Sequence, residues 1–226
     1  MVTKFLVKQR EAIFEARFTF PAFALIASAP SLHQNMLLGL GKYGLTLGNI
    51  LIESGLPNLS GANATYSLGT LNAHVRVWLD RLEVFFLDLA RVRKEQLFEI
   101  TETALDSVQH TVQDLQMETY TATLNMHGTL PDTEISQFLT QYVPSIPEGL
   151  GMVVGKGMVY YFGPEAEKRS ASLVVDMSAM IPEALLVKAS AVFDGTKLSR
   201  ALGLSAALEH VFQMLTGISL EPSWES

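Results

Sequence analysis

The hexapeptide Gly39-Leu40-Gly41-Lys42-Tyr43-Gly44 is the first stretch of this 226-residue chain whose residue types and spacing could do chemistry. G-x-G-x-x-G is the spacing of a dinucleotide-binding turn, in which backbone amides at a helix N-terminus meet a pyrophosphate. That mechanism needs a buried strand before the glycines, whereas Ser31 to Leu38 reads as a helix, and Glu53 lies too near to serve as the ribose-binding acid. The hexapeptide is therefore read as an apolar turn. Gly203-Leu204-Ser205-Ala206-Ala207 departs from the nucleophile-elbow pattern at its last position. It also falls inside an amphipathic helix instead of a strained strand-to-helix turn, so Ser205 reads as a packed helical serine. Five histidines (His33, His74, His110, His127, His210) show no metal-ligand spacing. His74 and His127 would meet, as a pH-sensitive or metal-binding pair, if residues 72–79 paired with 118–127. Asp80 and Glu83 flank a change of apolar phase and Asp176 lies mid-strand, and nothing selects two of them as acid and base. No catalytic residue, metal site or cofactor is assigned.

Composition narrows the classes further. Cysteine is absent, which excludes thiol nucleophiles, disulfides and thiolate zinc sites and fits a cytoplasmic location. Lys4, Lys8, Arg10 and Glu11 interrupt any secretory apolar run, so no signal peptide is expected. The net charge is −7, and the sole basic cluster, Arg91, Arg93 and Lys94, runs straight into Glu95. Nucleic-acid binding draws its affinity from neutralised phosphates and is not expected here. Residues 36–56 carry only Lys42 and Glu53 as formal charges, but five glycines and several polar residues dilute the stretch. A buried helix or a partner-facing surface is expected there before a membrane span. Charged residues make up 17% of the chain, against roughly 25% in an average soluble domain. A chain with so little charge has either a large core or a surface buried against another chain.

Residues that could bear on function must be positioned by the surrounding elements, and period-two alternation dominates. Val75, Val77 and Leu79 alternate with His74, Arg76 and Trp78, and after Asp80-Arg81 the apolar phase shifts to Leu82, Val84 and Phe86. A tight turn or bulge is expected at that shift. Residues 5–20 read as an opening strand ended by Pro21, 64–71 as a second strand, and 118–127 as the cleanest one, with a threonine-lined polar face. Further strands are expected within 151–162, 170–180 and 184–194. Leu97, Ile100, Ala104, Val108, Val112 and Leu115 mark an amphipathic helix. A short helix is expected from Pro131 to Tyr142, and a terminal one carries Leu198, Leu202, Leu208, Val211 and Phe212. Residues 22–64 read as apolar, Gly-rich short helices and turns, and the tail from Glu221 as loose.

Glu11-Ala12-Ile13-Phe14-Glu15-Ala16-Arg17-Phe18, the strand through Asp80-Arg81-Leu82, and the end of the terminal helix with Leu208, Phe212 and Thr216-Gly217 together resemble an uncharacterised, sporadically distributed prokaryotic family of about this length. The resemblance covers short islands and implies architecture only, since the family has no assigned activity. The order of strands and flanking helices is also similar in layout to the export chaperone SecB, an analogy without a residue motif behind it.

The fold class expected is α+β: antiparallel sheet with long amphipathic helices packed on one face. It forms a single domain over 1–226, or two similar halves dividing near residue 131. The functional reading is a non-catalytic cytoplasmic subunit that self-associates or docks a partner polypeptide. Phe23, Leu25, Ile26, Leu37, Leu40 and Leu47 are the expected contact residues, because residues 20–56 hold more apolar side chains than one helix stripe or strand face can bury. The alternative is a small-molecule binder or enzyme. Its pocket would lie between sheet and helices, lined by Trp78, Phe85, Tyr120, Tyr160 and Tyr161, with His74 or Asp80 at the mouth.

Overall fold

The computed structural model describes residues 4–27, 29–53, 61–131, 133–141, 157–164, 168–195 and 219–221, together with Ala207 and Val211. The chain is α+β. Its strands are β1 (Lys4–Phe18), β2 (Ile50–Glu53), β3 (Asn63–Leu68), β4 (Ala73–Trp78), β5 (Arg81–Phe86), β6 (Met117–Thr129), β7 (Gly157–Phe162), β8 (Lys168–Met177), β9 (Leu185–Asp194) and β10 (Ser219–Glu221). They form one sheet in the order β2-β3-β4-β5-β1-β6-β9-β8-β7. β10 adds parallel to the start of β1, Lys4 facing Ser219, and every other ladder is antiparallel. The sheet crosses residue 131 without interruption, since β6 and β9 pair over ten residues from Thr119–Asp194 to Gly128–Leu185.

Alternation in sequence becomes two faces in space. Ala12, Phe14 and Ala16 of β1 lie in register with Leu124, Ala122 and Tyr120 of β6 and with Phe86, Val84 and Leu82 of β5, and all are buried. The opposite face presents Glu11, Ile13, Glu15 and Arg17 beside Asn125, Thr123, Thr121 and Thr119. The phase shift at Asp80-Arg81 is a tight β4–β5 turn. It is pinned by the end of β1, where the amides of Phe18 and Ala22 donate to Asp80 O and Leu79 O at 2.8 and 2.7 Å.

Helices cover the apolar face. Those of more than six described residues are α2 (Ala29–Leu40) and α3 (Lys94–Thr111), with the short α1 (Ala24–Ala27) and α4 (Ile135–Thr140) beside them. Leu97, Ile100, Ala104, Leu105 and Val108 bury the inner stripe of α3, and Leu32, Met36 and Leu40 that of α2, in one contiguous core with the sheet. Gln96 caps α3 by accepting from the Arg93 amide at 3.0 Å. The expected terminal helix lies outside the described residues except for Ala207 and Val211, which are helical and fully buried in the same core. Strand order repeats about the central β1–β6 pair, with β5, β4 and β3 leading outward on one side and β9, β8 and β7 on the other. β2 then extends the first side past β3.

Two features depart from the sequence reading. Residues 50–53 pair with β3 as a strand instead of lying in a helix or turn, and Ser219–Glu221 is a short strand on β1. The second depends on pairing between segments at opposite ends of the chain, and the first is an apolar run without alternation, so local periodicity encodes neither.

Candidate functional site

At one corner of the sheet, the ends of β2 and β4 and the start of β3 meet α1 and the first turn of α2. The cleft between them has a volume of about 270 Å³. Leu25, Leu32, Ile52, Ala64, Val77 and Leu79 make its walls apolar, and His33, Glu53, Asn63 and Trp78 contribute polar atoms. Asn63 is spent on positioning: its Nδ2 donates to Glu53 Oε2 at 2.6 Å and to Gly61 O at 3.1 Å, while its Oδ1 accepts from Thr65 Oγ1. Glu53 Oε1 makes no hydrogen bond among the described residues. His33 Nδ1 lies 2.8 Å from the hydroxyl of Tyr66, which is fully buried on β3. Burial pushes the Tyr66 phenol well above its ordinary pKa and lowers that of His33. The buried phenol O–H, with no other partner among the described residues, donates to Nδ1. The His33 proton therefore sits on Nε2, on a side chain that lines the cleft.

Beside the cleft, on the open face, Trp78 Nε1 and Arg81 Nε donate to the two oxygens of Glu83 at 3.1 and 2.7 Å. The Arg81 guanidinium lies 4.5 Å from the Trp78 ring centroid and also pairs with Asp80 at 2.9 Å. Arg76 stands 5.7 Å from the same ring. Arg81 is held by carboxylates and Arg76 Nε donates to Thr65 Oγ1 at 3.2 Å, so this is a structural polar network more than a reactive centre. Among the described residues no three His, Asp or Glu side chains converge to hold a metal ion.

The far edge of the sheet is β7, Gly-Met-Val-Tyr-Tyr-Phe. Val159, Tyr160, Tyr161 and Phe162 are all exposed, Tyr161 to 83%. Alternation places Val159 and Tyr161 on the open face and Tyr160 and Phe162 on the helix side. One edge pairs with β8, and among the described residues no strand takes the other. No charge falls between Lys156 and Glu165. Edge strands of monomeric proteins are commonly protected by lysine, proline, a bulge or a cover; β7 contains no lysine or proline, and its register with β8 is unbroken.

The residues singled out in sequence are dispersed. Leu25 and Leu40 are buried in the chain's own core, Leu37 packs half-buried against it, and Phe23 and Leu47 are exposed. The side chain of Ile26 is outside the described residues. α2 packing on α3 absorbs much of the apolar surplus in 20–56, so Leu25 and Leu40 are not available to a second chain. The aromatic set does not form one pocket. Tyr120 is buried on the helix side, stacked on Phe14 at 6.0 Å, while His74, Trp78 and Phe85 lie on the open face, Asp80 in the β4–β5 turn, and Tyr160 and Tyr161 on opposite faces of β7. Trp78 alone of them reaches the cleft. His74 and His127 do not meet, because β5 and β1 stand between their strands; they bond Ser67 and Ser178 instead. Gly39–Gly44 closes α2 at its C-terminus, with Gly44 at φ +86°, so the helix end that would attract a phosphate is absent from it. Ser205 lies outside the described residues.

No family model matches the chain, and no curated protein matches it. Among solved structures it is similar to the regulatory subunit of aspartate kinase from Thermus flavus. The two share 12% identity over 94% of this chain and 97% of that one, at a TM-score of 0.20, too low to support an argument from fold.

Proposed function

We propose that the chain is a non-catalytic protein-binding and assembly subunit of the cytoplasm that accepts a partner strand on β7, in the first instance the β7 of a second copy. The observation that carries this reading is the six-residue apolar edge with four exposed large side chains and no charge. Strand addition supplies main-chain hydrogen bonds along such an edge, and side chains alternating to both faces supply selectivity. Two antiparallel β7 strands about a two-fold axis form an isologous contact, so the same patch serves both copies. The strand order supports the same place. If the chain is two similar halves of β-α-β-β-β layout, β3 and β7 are counterparts; β3 carries the extra strand β2, and a partner strand would take the equivalent place on β7.

Light scattering on the size-exclusion peak tests the reading. The wild-type chain is expected at twice its monomer mass. Val159→Lys/Tyr161→Lys, two exposed changes on one face of the edge, should weaken the dimer on the order of a hundredfold and leave the circular-dichroism spectrum unchanged. A monomeric wild type at micromolar concentration, or a double variant that stays dimeric, contradicts it.

A further inference from the structure

The cleft at the opposite corner from β7 has chemistry of its own. Its walls are apolar, its volume is at the small end for ligand sites, and its single formal charge is Glu53. Asn63 clamps one carboxylate oxygen of Glu53 at 2.6 Å and leaves the other uncommitted among the described residues. His33, anchored behind by the Tyr66 hydroxyl, offers Nε2–H as a donor. A negative acceptor and a neutral donor thus border one apolar chamber, and burying either against a purely apolar ligand would cost its hydrogen bond with water. A matching ligand brings a cation, a carbonyl and an apolar body on a short frame. The α-ammonium, first carbonyl and side chain of an apolar amino-acid unit carry these three.

We propose that this cleft binds the amino end of an apolar amino-acid unit. The ammonium pairs with Glu53, the carbonyl accepts from His33 Nε2–H, and the side chain lies among Leu25, Leu32, Ile52 and Val77. The same chemistry is offered by a free amino-acid amide and by the first residue of a peptide. The site is remote from the β7 edge and does not depend on it.

Titration calorimetry with leucine amide, Leu-Gly-Gly and N-acetyl-Leu-Gly-Gly tests this. Binding of at least one unblocked probe is expected, with acetylation weakening it tenfold or more. Equal affinity of the two unblocked probes points to a free amino-acid derivative, and tighter tripeptide binding points to a peptide end. Glu53→Gln, an exposed edge position whose change leaves the core intact, should weaken the unblocked probes tenfold and leave the melting temperature in place. The inference is overturned if neither unblocked probe binds the wild type, if the acetylated peptide binds equally well, or if Glu53→Gln has no effect.

Discussion

Glu83 is the most deeply buried carboxylate among the described residues, 9% exposed, and Arg81 and Trp78 both donate to it. Removing one partner of such a pair is costlier than removing both, since the survivor stays desolvated without its counter-charge. Arg81→Leu should therefore lower the unfolding free energy by about 2–3 kcal/mol, and adding Glu83→Gln should restore at least half of the loss, both read from urea melts. His33 gives a pH dependence whose sign follows from its environment. Burial lowers its pKa in the folded chain, so below the ordinary imidazole value of about 6.5 the unfolded chain binds the extra proton first. The stability His33 contributes is present above that value and is lost as pH falls through the unfolded pKa toward the folded one. The urea midpoint should drop on going from pH 7.5 to 5.5. His33→Gln, which retains an acceptor for Tyr66 but does not titrate, should show a shallower drop. A drop equally steep in the variant would assign the dependence to other groups.

At the scale of elements, the α2–α3 contact depends on a missing side chain. A Cβ at Gly39 would stand 2.4 Å from Thr103 Cγ2. Alanine in place of helical glycine ordinarily stabilises by about 1 kcal/mol. Here the stiff, β-branched Thr103 blocks it, and Gly39→Ala should cost about 1–2 kcal/mol instead. In a Thr103→Ser background the same change should become neutral or stabilising, a reversal that thermal melts of the four variants would show. The sequence made β3 and β7 legible as well as β1, β4, β5, β6, β8 and β9, and these last six share one property: a single buried face imposes period two on the residue types. β2 hid because Ile50-Leu51-Ile52 is an unbroken apolar run of edge strand, with no alternation to read. The cleft hid for a different reason. Leu25, His33, Glu53, Asn63 and Trp78 come from five separate elements, and only the fold brings them together. Trp78 was recognisable as an aromatic at a strand end. Tyr160 and Tyr161 were recognisable as aromatics too, but adjacent strand residues point to opposite faces, so a pocket lined by both was excluded by the same alternation that located the strand.

For the whole molecule, a sheet built outward from β1 and β6 ends in two unlike edges. β2 is short, with Glu53 at its end, whereas β7 is longer, uncharged and apolar on both faces. Low charge overall fits a core continuous from α2 to Val211 and, on the proposed reading, an edge that assembly would cover. Because the chain has no cysteine, each thiol introduced is the only one present. Single cysteines placed in turn at Met158, Val159, Tyr160, Tyr161 and Phe162, with Leu38→Cys as an exposed control remote from β7, turn strand pairing into a cross-linking pattern. Antiparallel β7 strands related by a two-fold axis bring a residue opposite its own copy only near that axis, within disulfide reach of about 4.4–6.8 Å between Cα atoms. Mild oxidation should therefore yield a covalent dimer at one or two positions of β7, little at the others and none at Leu38→Cys. Uniform cross-linking at all six positions, or none anywhere on β7, would contradict assembly through this edge.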